Sequence, residues 1–226
     1  LTASTSHFKY TSSSSTTITP ATYYNLSALP LSGSPTYTMG TGTVAITNDF
    51  VAGDGTNAVT VTANTTDAVV AVGGAFTISV NSTYQASDTS DLTIGGNYTN
   101  SGTFTANNGT TTFDGTSQQT ISGVATGTSA FYNLEITNSS GSDPDTSPFV
   151  IFNASASSTN FYARTANTKL RFLAGASYSF DNFYINGQAA GTRVAMRSSS
   201  DGSPWYLYVT GTQSVQYANP KDSDAS

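Results

Sequence analysis

Hydrophobic and polar residues alternate along the chain in short segments of four or five residues. In residues 43–47, 58–62 and 76–80, every second side chain is apolar. Such alternation with a period of two is typical of strands that bury one face. Clusters of Gly, Asn, Asp or Ser separate most of these segments, and no window shows the spacing of an amphipathic helix. The pattern predicts an all-β chain.

Internal similarity indicates how these strands are arranged. The segment VGGAFT at 72–77 is repeated as IGGNYT at 94–99, 22 residues later. A second similarity joins YYNL at 23–26 to FYNL at 131–134, with a looser echo at 182–186. Repeats of about 20 to 50 residues are typical of solenoids, in which each unit buries its apolar face against its neighbours.

We therefore expect a parallel β-helix, or β-solenoid, over residues 21–226. A domain boundary near residues 138–148 is possible, and two β-sandwich domains in series are the alternative fold. Thr and Asn suit a β-helix because they can hydrogen-bond along a column of stacked coils while keeping strand or turn geometry.

Residues 1–20 differ from the rest of the chain because residues 12–17 are all Ser or Thr and Pro20 ends the stretch. One interpretation is a flexible terminus or linker. The other is an arm that adds a strand to the open sheet edge of a neighbouring subunit. The residues of that inter-subunit strand would be His7, Phe8, Lys9 and Tyr10.

Composition excludes several classes of protein. Only 9% of the 226 residues are charged, against about 25% in ordinary soluble domains. Thirteen Tyr and twelve Phe argue against disorder, and the absence of Cys excludes disulfide scaffolds and thiolate metal sites. Seven basic residues are too few for a nucleic-acid interface. No apolar run approaches the length of about 18 residues that a transmembrane segment needs.

The repeats carry a resemblance. The run LTIGGNYTNSGTFTANNGTTTFDGTSQQTISG that begins at Leu92, with FYNLEI at 131–136, resembles the β-helical repeats of bacterial cell-surface and adhesin-like proteins. Residues 196–224 are similar to a module of large secreted surface proteins. The resemblance implies a parallel β-helix that is secreted to the cell surface, and these families share no catalytic signature.

Stacked coils form a stiff rod whose open ends must be capped or paired, and a head-to-tail contact that does not close produces a fibre. We therefore expect a non-enzymatic structural or adhesive protein, a self-assembling subunit of a surface filament or layer joined by strand addition. The alternative function is a carbohydrate-binding or carbohydrate-cleaving β-helix. The expected partners are other copies of the chain, with surface glycans as the further candidate.

Catalytic chemistry has weak support. A glycosidase needs two carboxylates about 5 to 9.5 Å apart across the scissile bond. The candidate pairs are Asp88 with Asp91, Asp143 with Asp145, and Asp222 with Asp224. All lie in turn-like sequence, where Asp commonly binds its own backbone. His7 is the only histidine and has no nucleophile motif to serve, so we expect no catalytic site.

The densest aromatic segment is WYLYV at 205–209. Alternation directs Trp205, Leu207 and Val209 to one side of a strand and the two tyrosines to the other. If the tryptophan side is buried, Tyr206 and Tyr208 become surface contacts for a partner or a sugar.

Two weaker signals involve oxygen ligands and glycans. Asp49 and Asp54 lie beside glycines and could bind Ca²⁺, although the sequence has no EF-hand loop and simple turn chemistry is favoured, so we expect no resident cofactor. Asn-x-Ser/Thr motifs permit glycosylation at several positions. Those we single out are Asn64, Asn81, Asn97, Asn138 and Asn153.

Overall fold

A computed structural model describes residues 5–138, 140 and 149–225, and they form a parallel β-solenoid of about nine coils. All of the strand pairs are parallel, from the pair at residues 7–10 to the pair at residues 223–225. The predicted all-β solenoid is confirmed. The β-sandwich alternative is wrong, because a sandwich of that kind is built from antiparallel sheets.

The strands, numbered along the chain, form three sheets. Sheet A contains β1 (His7–Tyr10), β4 (Asn25–Ala28), β7 (Phe50–Ala52), β10 (Phe76–Ile78), β13 (Tyr98–Asn100), β16 (Gln119–Gly123), β18 (Val150–Phe152), β20 (Lys169–Phe172), β22 (Val194–Ser198) and β25 (Ala218–Pro220). Sheet B contains β2 (Thr16–Ile18), β5 (Thr36–Met39), β8 (Val59–Thr62), β11 (Ser82–Gln85) and β14 (Thr103–Thr105).

Sheet C completes each coil. It contains β3 (Thr22–Tyr23), β6 (Thr43–Ile46), β9 (Val69–Val72), β12 (Leu92–Ile94), β15 (Thr110–Phe113), β17 (Phe131–Ile136), β19 (Ala156–Ala163), β21 (Ser177–Asn186), β23 (Trp205–Val209), β24 (Gln213–Gln216) and β26 (Ser223–Ala225). A single 3₁₀ turn, Gly127–Ser129, is the only helical element among the described residues.

Strand register explains the sequence repeats. Val72 pairs with Ile94 and Phe76 pairs with Tyr98, so the 22-residue repeat is one coil of the solenoid. The looser echo at 182–186 is also structural, because Asn182–Tyr184 pairs with the corresponding residues of β19. The similarity between 23–26 and 131–134 is not, since the first segment spans two sheets and the second lies within β17.

The core is a continuous column of inward-facing side chains. In sheet A, Phe50, Phe76 and Tyr98 are fully buried on successive coils, with ring centroids 5.0 and 5.9 Å apart. Burying a large apolar side chain contributes roughly 1.5 to 3 kcal/mol to stability. Because every coil adds such side chains, the core extends along the whole axis instead of forming one central cluster.

The corner between sheets B and C changes along the axis. Sheet B ends at β14, where the Ser129 hydroxyl of the 3₁₀ turn accepts a hydrogen bond from the Phe104 N–H at 3.1 Å. Beyond it, β19 and β21 run through the corner as strands of 8 and 10 residues. The first half of β21 pairs with β23 and the second half pairs with β24.

The structure places the predicted N-terminal strand within the solenoid itself. His7–Tyr10 pairs with Asn25–Ala28, and Thr16–Ile18 pairs with β5 of the same chain. Residues 7–18 therefore belong to the first coil, which β3 completes in sheet C. Most of the suggested boundary near 138–148 lies outside the described residues.

Candidate functional site

An asparagine ladder lines the corner of the last coils. Asn160 donates a hydrogen bond to the Asn133 side-chain oxygen at 2.8 Å and accepts one from the Asn182 amide at 2.9 Å. The Asn182 oxygen in turn accepts from the Thr212 N–H at 2.9 Å. The ladder joins four coils along the solenoid axis. These hydrogen bonds hold the neighbouring surface of the coils in a fixed arrangement.

A tyrosine stack lies next to this ladder on the outer face of sheet C. The rings of Tyr162 and Tyr184 are nearly parallel with centroids 5.0 Å apart. The Arg164 guanidinium lies 4.4 Å from the Tyr162 centroid and binds Glu135 at 2.9 Å. Burial is the main cause that raises the pKa of the Tyr162 hydroxyl. Beyond Tyr184 the register partner on the next coil is the small Ser214, so the stack of rings ends at Tyr184.

The two ends of the solenoid expose inward-facing side chains. At the first end, Phe8 pairs in register with buried Leu26 but is 40% exposed. At the last end, Val215 pairs with buried Ile185 but is 50% exposed, and Leu207 and Val209 are only partly buried. Within the described residues, β1 and β2 have no further strand beyond them at one end, nor do β25 and β26 at the other.

The charges of the two ends are complementary. Before Asp49, the described residues carry one cation, Lys9, and no carboxylate. From residue 199 onward, the described residues carry one cation, Lys221, and three carboxylates. One of these carboxylates, Asp201, forms an ion pair with Lys221. Asp224 is exposed on β26 at the outermost edge. Residues 5–48 are therefore mildly positive and residues 199–225 are negative, while Arg193 and Arg197 lie against β25 at the same end as the second segment.

A threonine face covers the outside of sheet B, where the inward residues Tyr37, Val61, Tyr84 and Phe104 are fully buried. Strand register places the outward residues in two columns along the axis. The columns are Thr36, Thr60, Thr83 and Thr103, and Thr17, Thr38, Thr62, Gln85 and Thr105. Eight of these nine positions are threonine and none is ionisable.

The aromatic strand β23 alternates as predicted. Trp205 is buried and stacks on Phe172 with centroids 4.1 Å apart, while Tyr208 is 40% exposed. Tyr206 is partly buried, and its register neighbours are Ser177 and Asp224. The role of Tyr206 and Tyr208 as contacts for a partner stays a prediction.

The proposed calcium ligands bind backbone groups instead. Asp54 accepts hydrogen bonds from the N–H groups of Thr56 and Asn57 at 2.8 and 3.0 Å, and these bonds lower the pKa of its carboxyl. Asp49 accepts from the Ala75 N–H of the next coil at 2.8 Å. Within the part of the chain that is described, no group of three or more His, Cys, Asp or Glu side chains could hold a metal ion.

The glycosylation motifs differ in accessibility. Asn81, Asn97 and Asn153 are exposed, and Asn64 is partly buried. Asn138 is 3% exposed, and its amide donates hydrogen bonds to the Ser117 carbonyl and the Gln119 side chain at 2.7 and 2.9 Å. The Asn138 side chain is therefore inaccessible to modification on the folded chain.

Of the candidate catalytic carboxylates, Asp88, Asp91 and Asp224 are exposed and Asp222 is partly buried. His7 lies on β1, with Nε2 2.6 Å from the Ser27 hydroxyl. Asp143 and Asp145 lie outside the described residues. Burial raises the pKa of Asp114 at a surface cavity of about 210 Å³, but no second carboxylate lines that cavity. Absence of catalytic activity stays a prediction.

Comparison with known proteins adds no identity. We found no family model, no curated protein and no solved structure that matches the chain. In the described residues, no helix is long and apolar enough to span a membrane.

Sequence reasoning missed three of these features. The threonine face has a signal in the similar segments TYTM, TVTA, TYQA and TFTA, which begin at residues 36, 60, 83 and 103. The sequence signal for the asparagine ladder and the tyrosine stack is the recurrence of Asn-Phe-Tyr at 160–162 and 182–184. Each signal becomes interpretable only when strand register places the recurring residues side by side.

Proposed function

We propose that the chain is a non-enzymatic structural protein of the cell exterior whose copies join head to tail into a filament. The observation that carries the proposal is the complementarity of the two ends. Within the described residues, each end presents parallel strand edges with no further strand beyond them and exposed core-facing side chains, and residues 5–48 and 199–225 carry net charges of opposite sign.

The contact between copies is a continuation of the coil stacking within one copy. The last coil of one copy would lie against the first coil of the next, with β25 beside β1 in sheet A, so that the exposed core-facing side chains of Val215 and Phe8 become covered. Backbone groups at both edges would then gain hydrogen-bond partners, which is how strand addition provides affinity. Because the two surfaces differ, the contact is heterologous and propagates into a fibre.

Electron microscopy and sedimentation of the purified chain test this assembly. We expect fibres for the wild type and loss of fibres for both Phe8→Glu and Val215→Glu. Val80→Glu is the matched control, because Val80 is also 50% exposed but lies between β10 and β11 on the side of the rod. Monomers of the wild-type chain, or fibres that persist in both end variants, would contradict the proposal.

Mixing the two end variants tests polarity. The Phe8→Glu chain keeps an intact last coil, and the Val215→Glu chain keeps an intact first coil. An equimolar mixture should therefore form one-to-one heterodimers that do not grow further, while each variant alone stays monomeric. Homodimers in either variant alone would indicate a symmetric contact instead.

Binding of glycans is a second candidate function, favoured by the tyrosine stack. Tyr184, at the end of the stack, lies beside the amides of the asparagine ladder, which combines an aromatic surface with polar groups. Binding of soluble polysaccharides should be lost in Tyr184→Ala and retained in Tyr24→Ala, a partly buried tyrosine of the early coils. Equal binding by both variants would exclude the stack as the site.

A further inference from the structure

We propose that the threonine face of sheet B binds the surface of ice. The inference rests on the geometry of a lateral sheet face and is independent of assembly through the ends. What distinguishes this face from a discrete ligand site is its regularity: eight of its nine outward positions are threonine, and they lie in two columns along the axis.

The register of sheet B aligns the threonines in two columns, of which the first is unbroken and the second contains Gln85 and the buried Thr62. Thr36, Thr60, Thr83 and Thr103 follow one another on successive strands without a break in register. Parallel strands lie about 4.8 Å apart, and residues two apart on one strand lie about 6.6 Å apart. The oxygen lattice of the prism face of hexagonal ice has repeats near both distances along two perpendicular directions.

The side chains themselves are suited to order water. Threonine is stiff about its first side-chain torsion, so its hydroxyl and methyl groups hold fixed positions on a rigid strand. The hydroxyl can both donate and accept hydrogen bonds, as a water molecule in ice does. Thr36, Thr60, Thr83 and Thr103 are partly exposed on their strands. Thr62 in the second column is 3% exposed, and its hydroxyl accepts a hydrogen bond from the Asn64 N–H at 3.3 Å.

The support beneath the array is rigid. Tyr84 and Phe104 stack in parallel under it with centroids 6.2 Å apart, and both are fully buried. No outward position on these five strands carries a charge, so no ion disturbs an ordered water layer. The same coils on sheet C carry Ala45, Val69 and Ala71 among their outward residues, which breaks any comparable array there.

Uptake of the purified chain into slowly growing ice tests the inference. We expect the wild type to be enriched in the ice fraction relative to a non-binding reference protein, and to slow recrystallisation of fine-grained ice. The double variant Thr60→Lys and Thr83→Lys places two long charged side chains in the centre of the face. Its ice uptake should fall to that of the reference protein.

A charge-matched control uses another face of the same rod. Thr93 and Thr112 are outward, partly buried and adjacent in register on sheet C, as Thr60 and Thr83 are on sheet B. The double variant Thr93→Lys and Thr112→Lys should keep wild-type uptake into ice. Circular dichroism and thermal melting of both variants establish that the strands remain folded.

Three results would overturn the inference: exclusion of the wild type from ice, equal loss of uptake in both double variants, or retention of uptake in the sheet B variant. Binding of the wild type to crystalline cellulose or chitin without uptake into ice would also count against it, since the face would then recognise a polysaccharide lattice.

Discussion

The early coils and the late coils turn the same corner, between sheets B and C, in different ways. In the early coils, segments of three to six residues connect the two sheets. Asp67 and Asn107 lie in these segments with φ values of 51° and 49°. In the late coils the corner lies inside β19 and β21, where two successive residues face outward and the second is the ladder residue Asn160 or Asn182.

Backbone turns and side-chain hydrogen bonds are therefore two ways of turning the chain at the same corner. A left-handed residue reverses the chain locally, and Asn and Asp adopt that conformation more readily than most residues. The asparagine ladder instead bends a continuous strand and binds each bend to the coils on either side of it. The early coils therefore depend on local geometry, and the late coils depend on bonding along the axis.

Gly96→Ala should have the largest effect, because it breaks the close stacking on which the early coils depend. A Cβ atom at Gly96 would lie 2.4 Å from the Gly74 carbonyl carbon of the neighbouring coil. Backbone atoms cannot yield without opening the sheets, so we expect a loss of about 3 kcal/mol or more in the free energy of unfolding. Urea denaturation provides the measurement.

The matched control is Gly191→Ala in the late coils. No atom lies within 4 Å of a Cβ at Gly191, so the free energy of unfolding should change by no more than about 0.5 kcal/mol. Similar losses in both variants would show that close coil stacking is not what limits substitution at Gly96.

Asn160→Ala should have the next largest effect and breaks the ladder of the late coils. The variant removes both hydrogen bonds of Asn160 and leaves the side chains of Asn133 and Asn182 without one partner each. We expect a loss of about 1 to 3 kcal/mol in the free energy of unfolding. Asn153→Ala changes an exposed asparagine of the same coils and should be nearly neutral. A neutral Asn160→Ala would mean that the corner needs no ladder.

The smallest expected change in the free energy of unfolding concerns two buried tyrosines, one in the early coils and one in the late coils. Within the described structure the Tyr84 hydroxyl of the early coils has no hydrogen-bond partner. The Tyr178 hydroxyl of the late coils accepts from the Leu173 N–H at 2.9 Å and donates to the Phe152 carbonyl at 3.4 Å. Tyr84→Phe should therefore raise the free energy of unfolding by up to about 1 kcal/mol, and Tyr178→Phe should lower it by about 1 kcal/mol. The same sign for both variants in thermal or urea unfolding would contradict this difference.

The fold was predictable from sequence because strand alternation and coil repetition are both local patterns. The match of 72–77 to 94–99 already contains the register of Val72 with Ile94. The division of the corner into loops and a ladder was not predictable, because Asn160 and Asn182 look like any other polar residues in a Thr-rich segment. Their role depends on pairing between coils, and pairing depends on coil lengths that vary along the chain.

The candidate surfaces were predictable only in part. Alternation correctly separates Trp205 from Tyr208, since it needs only one strand. Composition gives no sign of the charges at the two ends, because Lys9 and Asp224 matter through their positions on the outermost coils. The threonine face needs the register of five strands at once.

The pairing of Val72 with Ile94, one coil apart, has a consequence for the length of the rod. A tandem duplication of residues 73–94 would insert a complete extra coil whose side chains match those above and below it. Each such event would extend the rod by one strand spacing, about 4.8 Å, without redesign of the interior. Length can thus vary between descendants of such a gene while the cross-section stays the same.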